Sequence, residues 1–119
     1  MKTTDHRLTE RVAALMRAGG WQQVTITAVM GHLGTDVTGL GTDGRRWLLR
    51  CHSDPDRVTP VDVHRFAGTA RQLRRSDVTM IVVDGPARLP LLDAASTAGI
   101  TFVDAASLSW WTALQSRDL

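Results

Sequence analysis

GTDVTGLGTDGRRWLLRCH, residues 34–52, is the stretch that decides the fold of this chain, because it predicts a short β-hairpin. Asp43-Gly44 tolerates positive φ and predicts the tight turn. Side chains on a strand alternate between faces, so Arg50 and His52 point to the same side. Leu48 shares that side, and the other side carries Trp47, Leu49 and Cys51. Asp36 on the first arm therefore faces two basic groups, an arrangement that can hold a metal ion or a phosphate.

Around this hairpin, helices and strands alternate along the chain. The predicted elements are a helix over Thr4–Ala18, a strand over Trp21–Ala28, a helix from Pro60 to about Arg75, a strand over Val78–Val83, a helix ending at Gly99, a strand over Ile100–Val103 and a helix capped by Asp104. The order α-β-β-β-α-β-α-β-α predicts an α/β fold with one mixed sheet and helices on both of its faces.

Apolar residues at helical spacing predict which face of each helix is buried. The expected stripes are Leu8, Val12 and Leu15 in the first helix and Val63, Phe66, Ala70 and Leu73 in the second. The third helix carries the apolar residues Leu89, Leu92 and Ala95. The continuous apolar run VTMIVV over Val78–Val83 is typical of a central strand that is buried on both sides.

The length and composition predict one soluble domain over residues 1–119. No apolar run approaches the roughly 20 residues of a membrane span, and no signal-like stretch opens the chain. Cys51 is the one cysteine, which excludes an internal disulfide and a multi-cysteine zinc site. These features together lead us to expect a cytoplasmic protein.

The charged residues are almost all arginine and aspartate, with Lys2 and Glu10 as the exceptions. Residues 45–75 contain eight arginines and only three aspartates. This excess of arginine favours phosphate binding, because arginine binds phosphate bidentately. The candidate DNA-binding residues in this region are Arg45, Arg46, His64, Arg71 and Arg75. Helical spacing places the last three on one face together with Gly68, which would allow close approach of a phosphate backbone. The alternative is an ordinary solvated helix face.

Six segments in order carry a family resemblance. They are Glu10 in the first helix, Arg17–Trp21 at its end, Gly34-Thr35-Asp36-Val37 in the hairpin, Leu48–His52 at the end of the second arm, Phe66–Ala70 in the second helix, and the run from Val78 to Asp104. Together they resemble the Mrr-type restriction endonuclease domain of the PD-(D/E)XK nuclease superfamily. The resemblance implies a restriction-endonuclease-like fold that acts on DNA.

The resemblance also implies a chemistry, metal-assisted hydrolysis of a phosphodiester. It implies Asp36 and Glu10 as ligands of Mg²⁺, a cation that favours oxygen donors, and Asp36, Arg50, His52 and Glu10 as the catalytic set. Two positions depart from the family pattern. Arg50 stands where the family has Gln or Glu, and a guanidinium has no acceptor with which to ligate a metal. His52 stands where the family has the lysine that orients the attacking water.

Several interpretations stay open at these positions. Asp36 can be a turn aspartate that binds local backbone N–H groups, and Glu10 can be a solvated helix residue. Arg50 and His52 can bind a phosphate, or Arg50 can pair with Asp36 and fill an inactive site. The domain would then act on DNA with weakened or absent cleavage. Alternatively, it is an inactive pseudo-nuclease that binds a protein partner or a second copy through Trp110 and Trp111.

Overall fold

The computed structural model describes residues 3–28, 35–71 and 76–107. The helices are α1 (Thr3–Ala18), α2 (Pro60–Thr69) and α3 (Leu89–Ala98), and the strands are β1 (Gln22–Ala28), β2 (Thr35–Leu40), β3 (Arg46–His52), β4 (Val78–Val83) and β5 (Thr101–Asp104). Short 3₁₀ helices cover Pro55–Arg57 and Ala105–Ser107. The predicted order of elements is confirmed through the last strand. The predicted final helix, with Trp110 and Trp111, lies outside the described residues.

The five strands form one mixed sheet in the order β1-β2-β3-β4-β5. β1, β2 and β3 are antiparallel neighbours, whereas β3, β4 and β5 run parallel. This follows from the connections, since short turns join antiparallel strands and helical crossovers join parallel ones. At the β2–β3 turn, Gly44 has φ +81° and donates to the Gly41 carbonyl at 3.0 Å. The hairpin and its turn are therefore confirmed.

One face of the sheet is covered by α1. Leu8, Val12 and Met16 of this helix pack against Val37 and Leu49 of β2 and β3. The same core cluster contains Trp21, Trp47, Cys51, Met80 and Val82. Burying this apolar surface is the main stabilising contribution on this side. The predicted first stripe is confirmed, with Leu15 only partly buried at its margin.

The opposite face is covered by α2 and α3. Val63, Phe66 and Ala70 pack against Leu48 and Ile81 of the central strands. The predicted stripe of α2 is thus confirmed for these three residues, and Leu73 lies outside the described residues. α2 spans Pro60–Thr69, residues 70 and 71 continue it in π-helical conformation, and the rest of the predicted extension to about Arg75 lies outside the described residues.

Of the three apolar residues that the sequence places in α3, Ala95 is buried, whereas Leu89 is 72% exposed and Leu92 is 39% exposed. The buried face consists of Leu91, Ala94 and Ala95, which follow the spacing i, i+3, i+4 of one helix face. The leucines of the first turn therefore lie on both sides of the helix.

α2 begins at a complete capping box. The Thr59 hydroxyl accepts from the Asp62 N–H at 3.2 Å, and the Asp62 carboxylate accepts from the Thr59 N–H at 2.9 Å. Pro60 occupies the first turn, where its missing N–H costs nothing. The helix starts near the end of β3 and runs back along the sheet, which brings its residues over the middle and the start of β3. Among the described residues, no helix is long and apolar enough to cross a membrane.

Candidate functional site

Asp36 and Arg50 form a bidentate ion pair on the face of the sheet that α2 covers. The two residues are direct partners in the β2–β3 register. Arg50 donates from Nε to Asp36 Oδ1 at 2.8 Å and from Nη2 to Oδ2 at 3.1 Å. The Arg50 side chain is 12% exposed and that of Asp36 only 1%. Asp36 was predicted to face Arg50 across the hairpin, and in the structure the two side chains are in direct contact.

Phe66 of α2 closes the pair from above. The Arg50 guanidinium carbon lies 4.2 Å from the centroid of the Phe66 ring, within the range of a cation–π contact. A buried carboxylate is costly unless it is paired and hydrogen-bonded. Arg50 supplies that pairing for Asp36, and Phe66 restricts the rotamers of Arg50. The sheet and the helix together hold the guanidinium over the carboxylate.

His52 lies at the end of β3, beside Val83 in the parallel register. It is only 5% exposed, and strand alternation places it on the same face as Arg50. The structure thus brings three of the four predicted catalytic residues to one face. Asp36 and His52 are buried and Arg50 is mostly covered, with a side chain that is 12% exposed, so a phosphate has little access to Arg50 or His52.

Glu10 is separated from this group. It is exposed on α1, and α1 packs on the face of the sheet that carries Val37, Leu49 and Cys51. Asp36 and Arg50 lie on the other face, because Arg50 contacts Phe66 of α2. The two acids predicted as metal ligands are thus on opposite sides of the sheet.

The donor set around Asp36 does not fit a resident Mg²⁺. Both carboxylate oxygens accept hydrogen bonds from Arg50, and a guanidinium offers a cation no acceptor. In the parts of the chain that the structure describes, no group of three or more His, Cys, Asp or Glu residues is placed to hold a metal ion. Asp36 would have to release Arg50 before it could ligate a cation.

The predicted DNA-binding residues lie mainly toward the start of β3 and along α2. The side chains of Arg45 and Arg46 are 56% and 61% exposed, and His64 and Arg71 are exposed on and just after α2. Arg75 lies outside the described residues. The four described residues therefore share solvent access, which Arg50 and His52 lack.

Arg45 is held in one orientation by its neighbours. Its backbone N–H and its Nε donate to the Asp43 carboxylate at 3.0 and 2.7 Å, and its guanidinium lies 5.5 Å from the Trp47 ring centroid. Desolvation acts to raise the pKa of Asp43, but the hydrogen bonds from Arg45 and Trp47 outweigh it and lower that pKa below its ordinary value. Asp43 therefore stays ionised at neutral pH and fixes Arg45 in place.

Sequence reasoning missed two acids that organise the arginines. Asp43 was assigned only to a turn, and Asp77 was given no role. Asp77 accepts from the Arg46 N–H at 2.8 Å and donates its own N–H to the Arg46 carbonyl at 2.8 Å. The sequence holds one signal for Asp43, because an aspartate two residues before an arginine in a turn can bind its N–H. No local pattern indicates the contact of Asp77, since its partner lies on another strand.

The fold and the residues at the hairpin define a restriction-endonuclease-like domain of the nuclease class. The model of the restriction endonuclease family Mrr_cat matches residues 1–111, and the chain belongs to this family. Among solved structures, that of EndoMS in apo form is similar, with a TM-score of 0.60 and 15% sequence identity. The match covers 80% of this chain but 44% of the EndoMS chain, so it supports the fold alone. A search among curated proteins found no significant match.

Proposed function

We propose that this domain binds DNA through phosphate contacts and does not hydrolyse it, because the Asp36–Arg50 pair occupies the position where the family resemblance implies a metal ion. The observation that carries the proposal is the bidentate contact of Arg50 with both Asp36 oxygens. Membership of the restriction endonuclease family supports DNA as the ligand.

The chemistry of Arg50 explains why binding would persist without cleavage. A divalent cation in a nuclease site acidifies a bound water and so generates a nucleophile at neutral pH. A guanidinium supplies positive charge but has no coordination site for a water oxygen and does not release a proton. A Mg²⁺ ion next to Arg50 would also be repelled by like charge at short range. Arg50 thus replaces the charge of a metal without its reactivity.

The charge distribution supports phosphate binding outside the buried pair. Residues 45–75 contain eight arginines and three aspartates, and the described DNA-binding candidates among these arginines, Arg45, Arg46 and Arg71, are exposed. Lysine and arginine contacts to phosphate release condensed counterions, which makes such binding strongly dependent on salt. The family contains DNA-acting enzymes, and these exposed charges would remain available to a member without cleavage.

DNA binding is tested by fluorescence anisotropy with a labelled duplex in EDTA over a series of salt concentrations. We expect binding at low salt without any added metal, and a linear fall of the logarithm of the affinity with the logarithm of the salt concentration. A duplex that binds only when Mg²⁺ or Mn²⁺ is added would contradict the proposal, because Asp36 would then be holding a cation.

A second candidate function is an inactive module that binds a protein partner or a second copy of the chain. The observation that favours it is the exposure of Val61, Leu89 and Leu92 near the starts of α2 and α3. Trp110 and Trp111, the surface predicted for this role, lie outside the described residues. Absence of DNA binding at low salt, together with a concentration-independent dimer in analytical ultracentrifugation, would favour this function over the first.

A further inference from the structure

A polar groove lies at the opposite end of β3 from His52. It has a volume of about 350 Å³ and is formed where the end of α2 and the end of α3 meet the starts of β4 and β5. Its polar lining residues are Arg45, Arg71, Ser76, Asp77, Thr79 and Thr101. It is separate from the buried pair, because Arg45, which directly precedes β3, is five positions from Arg50, about 16 Å at the rise of an extended chain.

Two arginines from distant parts of the chain flank this groove. Arg71 follows α2, is exposed and makes no ion pair with any described residue. Arg45 comes from the β2–β3 turn, and Asp43 binds it through the backbone N–H and Nε. These contacts leave the two terminal amino groups of Arg45 available. An arginine fixed in this way loses little conformational freedom when it binds an anion.

The acids near the groove are already paired. Asp43 is bound to Arg45, and Asp77 accepts from the Arg46 N–H at 2.8 Å and lies 3.8 Å from Arg46 Nε. Three arginines and two aspartates give this end of the sheet a net charge of +1, and the charge of Arg71 is the one without a local acid. The two aspartates therefore offset the charges of Arg45 and Arg46. The remaining positive charge, that of Arg71, attracts an anion to the groove.

Hydroxyl groups line the floor between the arginines. The side chains of Ser76 and Thr79 lie 3.0 Å apart and share one hydrogen bond, so one of the two hydroxyl protons remains for another acceptor. Thr101 at the start of β5 adds an exposed hydroxyl. Phosphate oxygens accept from guanidinium and hydroxyl donors of this kind.

We propose that this groove is a phosphate-binding site, with Arg45 and Arg71 clamping one phosphodiester of a DNA strand from two sides while Ser76, Thr79 and Thr101 provide hydroxyl contacts. The proposal rests on the proposed function for the identity of the ligand. It places the phosphate contact at the start of β3, away from the Asp36–Arg50 pair. A strand of DNA at the C-terminal end of α2 would therefore reach the groove without entering the buried site.

The test compares Arg71→Ala and Arg45→Ala with Arg65→Ala in the duplex anisotropy assay. Arg65 is the matched control, since it is an exposed arginine of the same helix and does not line the groove. We expect each groove variant to weaken binding about tenfold, the effect of losing one charge-assisted hydrogen-bonded contact. The slope of the salt plot should also fall by about one. Arg65→Ala should bind like the wild type, and an equal loss for all three variants would overturn the proposal.

A second measurement separates failure of the groove from failure of DNA binding. Inorganic phosphate is titrated into ¹⁵N-labelled protein, and the amide shifts of Ser76, Thr79 and Thr101 are followed in the wild type and in Arg71→Ala. Shifts in the wild type that vanish in the variant would support the groove even if no duplex binds, and DNA as the ligand would then be wrong. Absence of shifts in the wild type would overturn the groove as a phosphate site.

Discussion

The Asp36–Arg50 contact is a buried ion pair between two neighbouring strands. Asp36 is 1% exposed, so its charge must be neutralised by a fixed partner. Arg50 fulfils this role with two hydrogen bonds and a ring contact to Phe66. Each member of such a buried pair depends on the other, because removing one residue leaves the charge of its partner buried and uncompensated, which destabilises the fold.

Replacing Arg50 alone should therefore destabilise the fold. We expect Arg50→Ala to lower the free energy of unfolding by about 3–5 kcal/mol, the range for breaking a buried ion pair. The double variant Asp36→Leu/Arg50→Met removes both charges and should recover most of that loss, because neither partner remains unpaired. Urea unfolding followed by circular dichroism measures both. Equal stability of wild type and Arg50→Ala would contradict the account of this pair.

Asp43 gives a prediction that depends on pH. Its pKa is lowered below the ordinary value of 3.8 in the folded state, so its ionised form is favoured by folding. The stabilisation it provides is fully present above the unfolded pKa and is lost as pH falls through the folded pKa. Asp43→Asn should therefore reduce stability at pH 7 by less than about 1 kcal/mol, since the pair is exposed.

The same comparison below the ordinary pKa of Asp43 serves as the control. As the pH falls below 3.8, the difference in unfolding free energy between wild type and Asp43→Asn should shrink toward zero. A difference that stays constant from pH 7 down through that range would show that the carboxylate charge has no stabilising role.

Single residues also show what spacing can predict. The two-residue period of strands was enough to place Arg50, His52 and Leu48 on one side and Cys51 on the other. It was not enough to decide whether Arg50 extends to solvent or folds onto Asp36, because a long flexible side chain has several rotamers at each position. The sequence therefore left two alternatives open for Arg50, binding of a phosphate or pairing with Asp36, and the structure shows the pair.

Among the secondary-structure elements, the predictions held where a strong local signal coincided with burial. β4 matches the predicted range Val78–Val83, because a run of β-branched and apolar residues favours a central strand. α2 starts where Thr59 and Pro60 predicted. The sequence did not identify the buried face of α3, because its first turn has leucine on both sides and only tertiary packing decides which side is covered.

The capping box of α2 gives a prediction for that element. Thr59→Ala removes the acceptor for the Asp62 N–H and should lower the free energy of unfolding by about 1 kcal/mol. Thr59→Ser keeps the hydroxyl and should stay near the wild type. Thermal or urea unfolding of the two variants checks this, and equal losses for alanine and serine would show that the cap contributes nothing.

For the whole molecule, the fold is that of a restriction endonuclease family, and two of the predicted catalytic residues, Asp36 and Arg50, form an ion pair. The sequence predicted the mixed sheet, since alternating strands and helices determine the topology. It did not predict the groove, because Arg45, Arg71 and Ser76 belong to three separate segments that only the folded sheet brings together. The buried pair therefore stabilises the fold, whereas the groove offers exposed positive charge to a ligand.

Plasmid nicking is the decisive test of the proposal that this domain does not cleave DNA. Supercoiled plasmid is incubated with purified wild-type protein in Mg²⁺ or Mn²⁺, with Asp36→Ala in parallel. We predict no metal-dependent conversion to the open-circular form above the background of a no-protein control. Nicking by the wild type that requires the metal and disappears in Asp36→Ala would contradict the account, since Asp36 would then be a working ligand rather than the partner of Arg50.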